Sequence, residues 1–160
     1  MMRHDRIDPA QGSDISAGPQ TIRVRDHMTR PAVTIRWDEP VANARSLMQT
    51  RNIRHLPVLD VFGRPVGMVT EADLREVIAG LGPVDAPSDL VVGTAMAWNV
   101  KSVHPDMELT EAIRLMRDRK LSALPVVEGD RVVGVLTEID IAGVAIGQLI
   151  ERNARARAGR

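Results

Sequence analysis

The chain has 160 residues, which is enough for one compact domain or for two small ones that share a core. Its 21 basic and 21 acidic residues balance, so no overall field draws it to nucleic acid or to a membrane. The absence of cysteine excludes disulfides and thiolate chemistry and fits a reducing, cytoplasmic compartment, and the 2% aromatic content argues against base stacking.

Five segments follow one another along the chain. Residues 1–20 are polar, lack the apolar core of a signal peptide and are expected to form a flexible arm. Residues 21–79 form a first repeat, 80–91 a linker containing glycine and proline, 92–150 a second repeat and 151–160 a basic tail. The prediction of the fold is based on the two repeats, because they have nearly the same sequence pattern.

A constant shift of 68 residues aligns the repeats over most of their length. It pairs Val24 with Val92, Met28 with Met96, and Leu56-Pro57-Val58 with Leu124-Pro125-Val126. The shift drops to 67 at a turn, a length change that a surface loop tolerates. Beyond the turn, the run Gly67-Met68-Val69-Thr70-Glu71-Ala72-Asp73 returns as Gly134-Val135-Leu136-Thr137-Glu138-Ile139-Asp140. The chain is therefore an internal duplication.

Each repeat begins with a leading segment and a short β-prone stretch, after which a helix is predicted. Asp38 and Asp106 precede the two helices and are expected to be their N-caps. The apolar residues that follow recur with the 3.6-residue period of a helix. They are Val41, Ala44, Leu47 and Met48 in the first repeat, and Leu109, Ala112, Leu115 and Met116 in the second.

A hairpin and a second helix complete each repeat. Strands are predicted at 56–59 and 65–69, and again at 124–127 and 132–136, with a glycine in each intervening turn. The pattern β-α-β-β-α places the chain in the α/β (α+β) class. Neither unit can cover both faces of its helices and sheet alone, so two such repeats are expected to pack sheet against sheet with pseudo-twofold symmetry.

The Thr-x-x-Asp element that starts each second helix has two interpretations. Thr70 with Asp73, and Thr137 with Asp140, have the spacing of a capping box, in which each side chain bonds the backbone of the other. A helix N-terminus is also a ready anion site, so the same threonines could meet phosphate oxygens. An aspartate is suited instead to accepting hydrogen bonds from sugar hydroxyls. Both interpretations stay open at either copy.

This order of helix, Leu-Pro-Val, hairpin and Gly-x-x-Thr-x-x-Asp, occurring twice, resembles a tandem pair of cystathionine β-synthase (CBS) domains. The resemblance covers about residues 24–145 and implies a regulatory protein rather than an enzyme. It implies an adenine nucleotide (AMP, ADP or ATP) or S-adenosylmethionine as ligand, with no required cofactor. It further implies a homodimer formed through helices and a downstream protein that the sequence does not identify.

The resemblance also assigns roles to residues. Asp73 and Asp140 would bind ribose, and Thr70 and Thr137 phosphate. Adenine would lie against the backbone of the short stretch in the opposite repeat. One cleft would then combine Thr70 and Asp73 with Val100, Lys101 and Ser102, and the other Thr137 and Asp140 with Ala32, Val33 and Thr34.

The residues before Leu-Pro break the symmetry, since Arg54 and His55 correspond to Ser122 and Ala123. Arg54 suits a forked contact with phosphate, which favours the Asp73 cleft for a phosphorylated ligand. The alternatives are a solvated surface arginine and a structural histidine.

No catalytic or metal-binding constellation is evident. The histidines His4, His27, His55 and His104 lack the spacing of metal ligands. The stripe Ile141, Val144, Ala145 and Leu149 is expected to pack on the pair or on a second chain. The alternative function is therefore a scaffold or dimerisation module with empty clefts, in which the Thr-x-x-Asp elements only cap helices.

Overall fold

The computed structural model describes residues 21–81 and 89–159, so the predicted arm at 1–20, most of the linker, His4 and Arg160 lie outside it. The described residues form four α-helices: α1 (Val41–Arg51), α2 (Glu71–Gly80), α3 (Leu109–Arg119) and α4 (Glu138–Ala158). Six strands accompany them: β1 (Ile35–Arg36), β2 (His55–Leu59), β3 (Pro65–Thr70), β4 (Ala97–Trp98), β5 (Ala123–Glu128) and β6 (Arg131–Thr137). The leading segments contain short 3-10 helices at Val24–Asp26 and Val92–Thr94.

The strands form two sheets with the same plan. In the first, β1 is parallel to β2, β2 is antiparallel to β3, and β3 is antiparallel to β4. The second contains the antiparallel pair β5–β6, extended by single bridges from Val103 to Val126 and from Thr29 to Val135. The mixed α/β class with two repeated units is thus confirmed.

The two repeats exchange their leading segments. Strand β4 follows the leading segment of the second repeat but pairs with β3 of the first. Thr29, from the first repeat, pairs in turn with Val135 on β6 of the second. Val92 is buried in the core of the first repeat and Val24 in the core of the second. Each hydrophobic core is therefore completed by chain from the other copy.

The helix stripes predicted from the sequence point into these two cores. The buried positions are Val41, Ala44 and Met48 on α1, and Leu109, Ala112 and Met116 on α3. Both helices end at a residue in the left-handed conformation, Asn52 in one copy and Lys120 in the other, at φ values of 52° and 54°. The duplication therefore extends to the geometry that turns the chain from helix into strand.

The predicted N-caps Asp38 and Asp106 are wrong. α1 and α3 start two residues further on, without a side-chain cap. The carboxylates are held by Arg36 and Arg25, respectively. The first helical amides bond instead to carbonyl oxygens just before the opposite leading segment: Val41 N to Leu90 O (2.8 Å) and Leu109 N to Ile22 O (2.9 Å). The exchanged segments thus supply the hydrogen-bond acceptors at the helix N-termini, a role that the sequence analysis assigned to the two aspartate side chains.

The C-terminal segment also differs from the expectation. α4 runs for 21 residues to Ala158, so Arg152, Arg155 and Arg157 belong to a helix rather than to a separate basic tail. Ile141 and Val144 pack against the second core, as expected of the stripe, whereas Ala145 and Leu149 are exposed. The outer part of α4 therefore projects beyond the core that anchors its first turns.

Glycine is required where the exchanged segments cross the hairpins. A Cβ atom at Gly67 would lie 2.2 Å from the backbone oxygen of Ala97, which is too close for any real contact. We expect Gly67→Ala to lower the free energy of unfolding by about 1–3 kcal/mol through overpacking. Gly143→Ala on α4 meets open space and should raise it by about 0.5–1 kcal/mol. Urea denaturation measures both variants, and equal stability for the two would contradict the exchanged packing.

Candidate functional site

Both Thr-x-x-Asp elements form complete capping boxes. In the first, Asp73 N donates to Thr70 Oγ1 (3.2 Å), while Thr70 N and Thr70 Oγ1 donate to Asp73 Oδ2 (2.8 and 2.7 Å). Thr137 and Asp140 repeat the arrangement at 3.3, 2.8 and 2.7 Å. In each aspartate one carboxylate oxygen, Oδ2, thus serves the cap, and a ligand would have to use the other.

The second carboxylate oxygen has different surroundings in the two copies. Asp140 Oδ1 accepts a hydrogen bond from Thr29 Oγ1 (3.2 Å), which comes from the exchanged leading segment of the first repeat. The position related to Thr29 by the shift of 68 is Ala97, which carries no hydroxyl. Among the described residues, no donor reaches Asp73 Oδ1. The capping bonds are therefore the same in both copies, but the hydrogen bonding of the aspartate Oδ1 atom differs.

A cavity of about 690 Å³ lies where the two repeats meet. The N-terminal turns of α2 and α4 border it, as do the leading segment of the first repeat and the start of β2. Seven of the site residues predicted from the sequence line it: Ala32, Val33, Arg54, His55, Thr70, Thr137 and Asp140. Its volume is in the range of small-molecule sites in proteins.

The structure keeps only part of the predicted grouping, since Ala32 and Val33 lie on one cavity with Thr137 and Asp140. Arg54 was expected to serve a cleft with Asp73, but it lies on the cavity that contains Asp140. Thr34 lines a neighbouring cavity of about 790 Å³, and Ala32 is common to both. The remaining predicted residues, Asp73, Val100, Lys101 and Ser102, do not line the Asp140 cavity. Lys101 and Ser102 are exposed.

Arg54 is held loosely at the edge of this cavity. Its side chain is 77% exposed, and Nε lies 3.8 Å from Glu71 Oε2. Arg75 approaches the other oxygen of the same carboxylate at 3.4 Å. Surface pairs of this kind contribute little to stability, because water screens them and long side chains lose freedom in forming them. Arg54 could therefore leave Glu71 for an anionic ligand at little energetic cost.

His55 connects the two repeats inside the same cavity. Its Nε2 lies 2.9 Å from Ser122 Oγ, and both side chains belong to the cavity wall. Burial lowers the pKa of His55 below its usual value of 6.5, with a smaller contribution from Arg54, while Glu138 and Asp73 oppose the shift. The imidazole is therefore neutral at physiological pH and bonds to serine rather than acting as a cation.

Several residues of the cavity wall were not among those predicted from the sequence, and Thr29, Ser122 and Glu138 are three of them. Ser122 was noted only as the uncharged counterpart of Arg54, although its hydroxyl is the partner of His55. Thr29 had no signal at all, because its position beside Asp140 depends on the exchange of leading segments. Glu138 follows Thr137 in the sequence and is the first residue of α4 in the structure.

Two negative findings apply to the described residues. Within 21–81 and 89–159, no three His, Asp or Glu side chains gather into a possible metal site. Over the same ranges, no helix is both long enough and apolar enough to cross a membrane.

Comparisons with known proteins match both repeats. The family model of the CBS domain matches residues 24–80 and 91–147. The chain is 31% identical over 147 residues to the uncharacterized protein MJ1404 of Methanocaldococcus jannaschii, covering 81% of this chain and 34% of that protein. The chain thus spans about a third of that relative's length.

Two solved CBS structures match over nearly their whole length. One is the CBS domain pair of protein MJ0100 in complex with 5′-methylthioadenosine and S-adenosyl-L-methionine, with a TM-score of 0.71, 27% identity, and coverage of 81% of this chain and 99% of that one. Another is CBSX2 in complex with AMP, with a TM-score of 0.66, 26% identity, and coverage of 79% and 97%.

The pKa of His55 predicts a pH dependence of stability. Because the folded chain holds His55 below 6.5 and the unfolded chain does not, the unfolded state binds more protons between these two values. The contribution of neutral His55 to the free energy of unfolding is therefore complete above about pH 6.5, and it decreases as the pH falls towards the folded-state pKa. Urea unfolding between about pH 8 and pH 5 should show the advantage of the wild type over His55→Gln shrinking in that window. The wild type and His55→Gln share all other histidines, so those residues cancel in the comparison. A difference in free energy of unfolding that did not change with pH would contradict the lowered pKa of His55.

Proposed function

The chain belongs to the CBS domain family, and from that premise we propose that it is a regulatory module that binds an adenosine-containing ligand in the Asp140 cavity. One observation carries the proposal. Residues that the family assigns to ribose, adenine and phosphate come from both repeats and line a single cavity: Asp140 and Thr137, Ala32 and Val33, and Arg54. The ligands of MJ0100 and CBSX2, which are adenosine derivatives, support this choice.

Each group in the cavity has chemistry that suits one part of such a ligand. Asp140 would accept hydrogen bonds from ribose hydroxyls through Oδ1, since Oδ2 serves the cap. The backbone of Ala32 and Val33 would lie along the adenine. A phosphate would meet the first amides of a helix and the guanidinium of Arg54.

The charges of the cavity favour a ligand with little negative charge. Its wall carries the carboxylates of Glu71, Glu138 and Asp140 against the guanidiniums of Arg54 and Arg75. A triphosphate would meet this acidic excess at short range, whereas AMP brings one phosphate and S-adenosylmethionine a sulfonium cation. We therefore expect AMP and S-adenosylmethionine to bind in preference to ADP and ATP. We also propose the Asp140 cavity, rather than the Asp73 cleft, as the preferred site for the phosphorylated ligand, because Arg54 lines it.

Signalling would follow from the position of the cavity between the copies. A ligand that contacts both repeats shifts the chain towards the arrangement in which those contacts are best satisfied. The His55–Ser122 and Thr29–Asp140 bonds connect the repeats at this point and would change first. The downstream protein that reads the change stays unidentified, and a cytoplasmic location stays a prediction from composition.

Two substitutions separate capping from ligand binding. In Asp140→Asn the amide oxygen keeps the cap, while the amide nitrogen replaces the acceptor Oδ1, so ligand affinity should fall about tenfold or more. Its stability should drop by less than about 1 kcal/mol, since only the charge at the helix terminus is lost. Asp140→Ala should lose about 1–2 kcal/mol as well as affinity. Calorimetry and thermal shift with AMP and S-adenosylmethionine measure both quantities.

Asp73→Asn is the matched control and should leave binding in the Asp140 cavity unchanged. At 100 times its dissociation constant, a bound ligand should add about 2.7 kcal/mol of stability. No shift with AMP, ADP, ATP or S-adenosylmethionine at millimolar concentration would sink the proposal and leave capping as the role of both elements.

A second candidate function, dimerisation, is favoured by the outer face of α4. Ile139, Ile146, Leu149 and Ile150 are between 57% and 76% exposed, while the opposite face of the helix packs on the core. The first turn of α4 is acidic and its last turn is basic. An antiparallel pair of these helices centred near Gly147 would place the acidic turn of each beside the basic turn of the other. This charge complementarity points to a second copy of the chain as the occupant.

The dimer is tested by a charge placed on this face. Ile146→Lys should raise the dimer dissociation constant at least about tenfold, because burying the lysine ammonium is costly. Gln148→Lys adds the same charge on another side of α4 and should leave the dimer intact. Sedimentation velocity distinguishes the species, and an unsubstituted chain that is monomeric at all concentrations would contradict this surface.

A further inference from the structure

Thr29 occupies part of the acceptor that a ribose would use. A carboxylate has about four lone-pair sites, two on each oxygen. Asp140 Oδ2 accepts two hydrogen bonds, from Thr137 N and Thr137 Oγ1. Oδ1 accepts one, from Thr29 Oγ1 at 3.2 Å. One acceptor position thus remains on an aspartate that lines the cavity.

The Thr29 bond is not needed for the cap. The first repeat builds the same capping box at the same distances within 0.1 Å, although Ala97 stands where the second repeat has Thr29. Nor is the hydroxyl needed to hold the leading segment. Thr29 N donates to Val135 O (2.9 Å) and Val135 N donates to Thr29 O (3.0 Å) through the backbone alone. The side-chain bond is additional to both and uses Oδ1, the oxygen of Asp140 that does not serve the cap.

We infer that Thr29 is a specificity-determining residue that limits Asp140 to one ribose hydroxyl. This inference rests on the proposed function. The two hydroxyls of a ribose cis-diol would compete with Thr29 for two positions on Oδ1, so one hydroxyl is bonded and the other is left to water. A site of this kind distinguishes poorly between a ribonucleoside and the deoxynucleoside that lacks the unbonded hydroxyl. Without the Thr29 hydroxyl, Asp140 would bond both hydroxyls and reject either deoxy analogue.

The test uses the full chain with Asp73→Asn, which keeps the first cap and removes its open acceptor oxygen. The probes are AMP, 2′-deoxy-AMP and 3′-deoxy-AMP, and calorimetry gives each dissociation constant. With Thr29 present, one deoxy analogue should bind within about threefold of AMP and the other about tenfold more weakly. Thr29→Val removes the hydroxyl at nearly constant shape. It should bind AMP more tightly and both deoxy analogues about tenfold more weakly than AMP.

Thr29→Ser is the matched control, since it retains the hydroxyl and should keep the parent ratios. Unchanged ratios in Thr29→Val would overturn the inference, as would weaker AMP binding in that variant, which would mean that Thr29 itself bonds the ribose. AMP binding in any of these patterns leaves the proposed function standing. No saturable AMP binding by the unsubstituted chain would overturn the inference together with AMP as the ligand.

Discussion

Both repeats depend on the close approach of a leading segment from one copy to the hairpin of the other. The contact is tight enough that a side chain at Gly67 or Gly134 would collide with the crossing chain. It places Val92 in one core and Val24 in the other, and it supplies acceptors for the first amides of α1 and α3. A single repeat would lose a core residue, a strand contact and a helix-end acceptor together, so neither copy is a complete folding unit.

The same exchange creates the site. The leading segment of the first repeat continues from its crossing of β6 to Ala32 and Val33, and so brings these residues to the capping box of Thr137 and Asp140. The cavity is consequently bordered by both repeats, and its contents depend on how they are arranged. A ligand there is coupled to the packing that holds the whole chain together, which is the physical requirement for a conformational signal.

The sequence was sufficient to predict those structural features that depend only on residues close together in the chain. The helical stripes, the hairpins and the capping boxes at Thr70 and Thr137 depend on local spacing and were predicted correctly. It was insufficient for most contacts with the other copy, although the family resemblance did group Ala32 and Val33 with Asp140. The shift of 68 residues would be the same whether each leading segment packed on its own repeat or on the other. The duplication alone therefore does not predict that the leading segments are exchanged. The N-cap assignments of Asp38 and Asp106 were wrong for this reason. Arg54, which the sequence interpretation assigned to a cleft with Asp73, lines the cavity that contains Asp140.

Some departures from symmetry between the two copies lie at the cavity. Contacts that build the fold occur in both copies: the glycine crossings, the left-handed helix ends and the capping boxes. Two polar bonds that have no counterpart in the other copy, His55–Ser122 and Thr29–Asp140, border the cavity. A duplicated fold keeps what both halves need for packing, and its copies are free to diverge where packing makes no demand. Because these two bonds lie on the cavity wall and contribute to neither cap, the wall is a part of the molecule in which the two copies differ without a demand from packing.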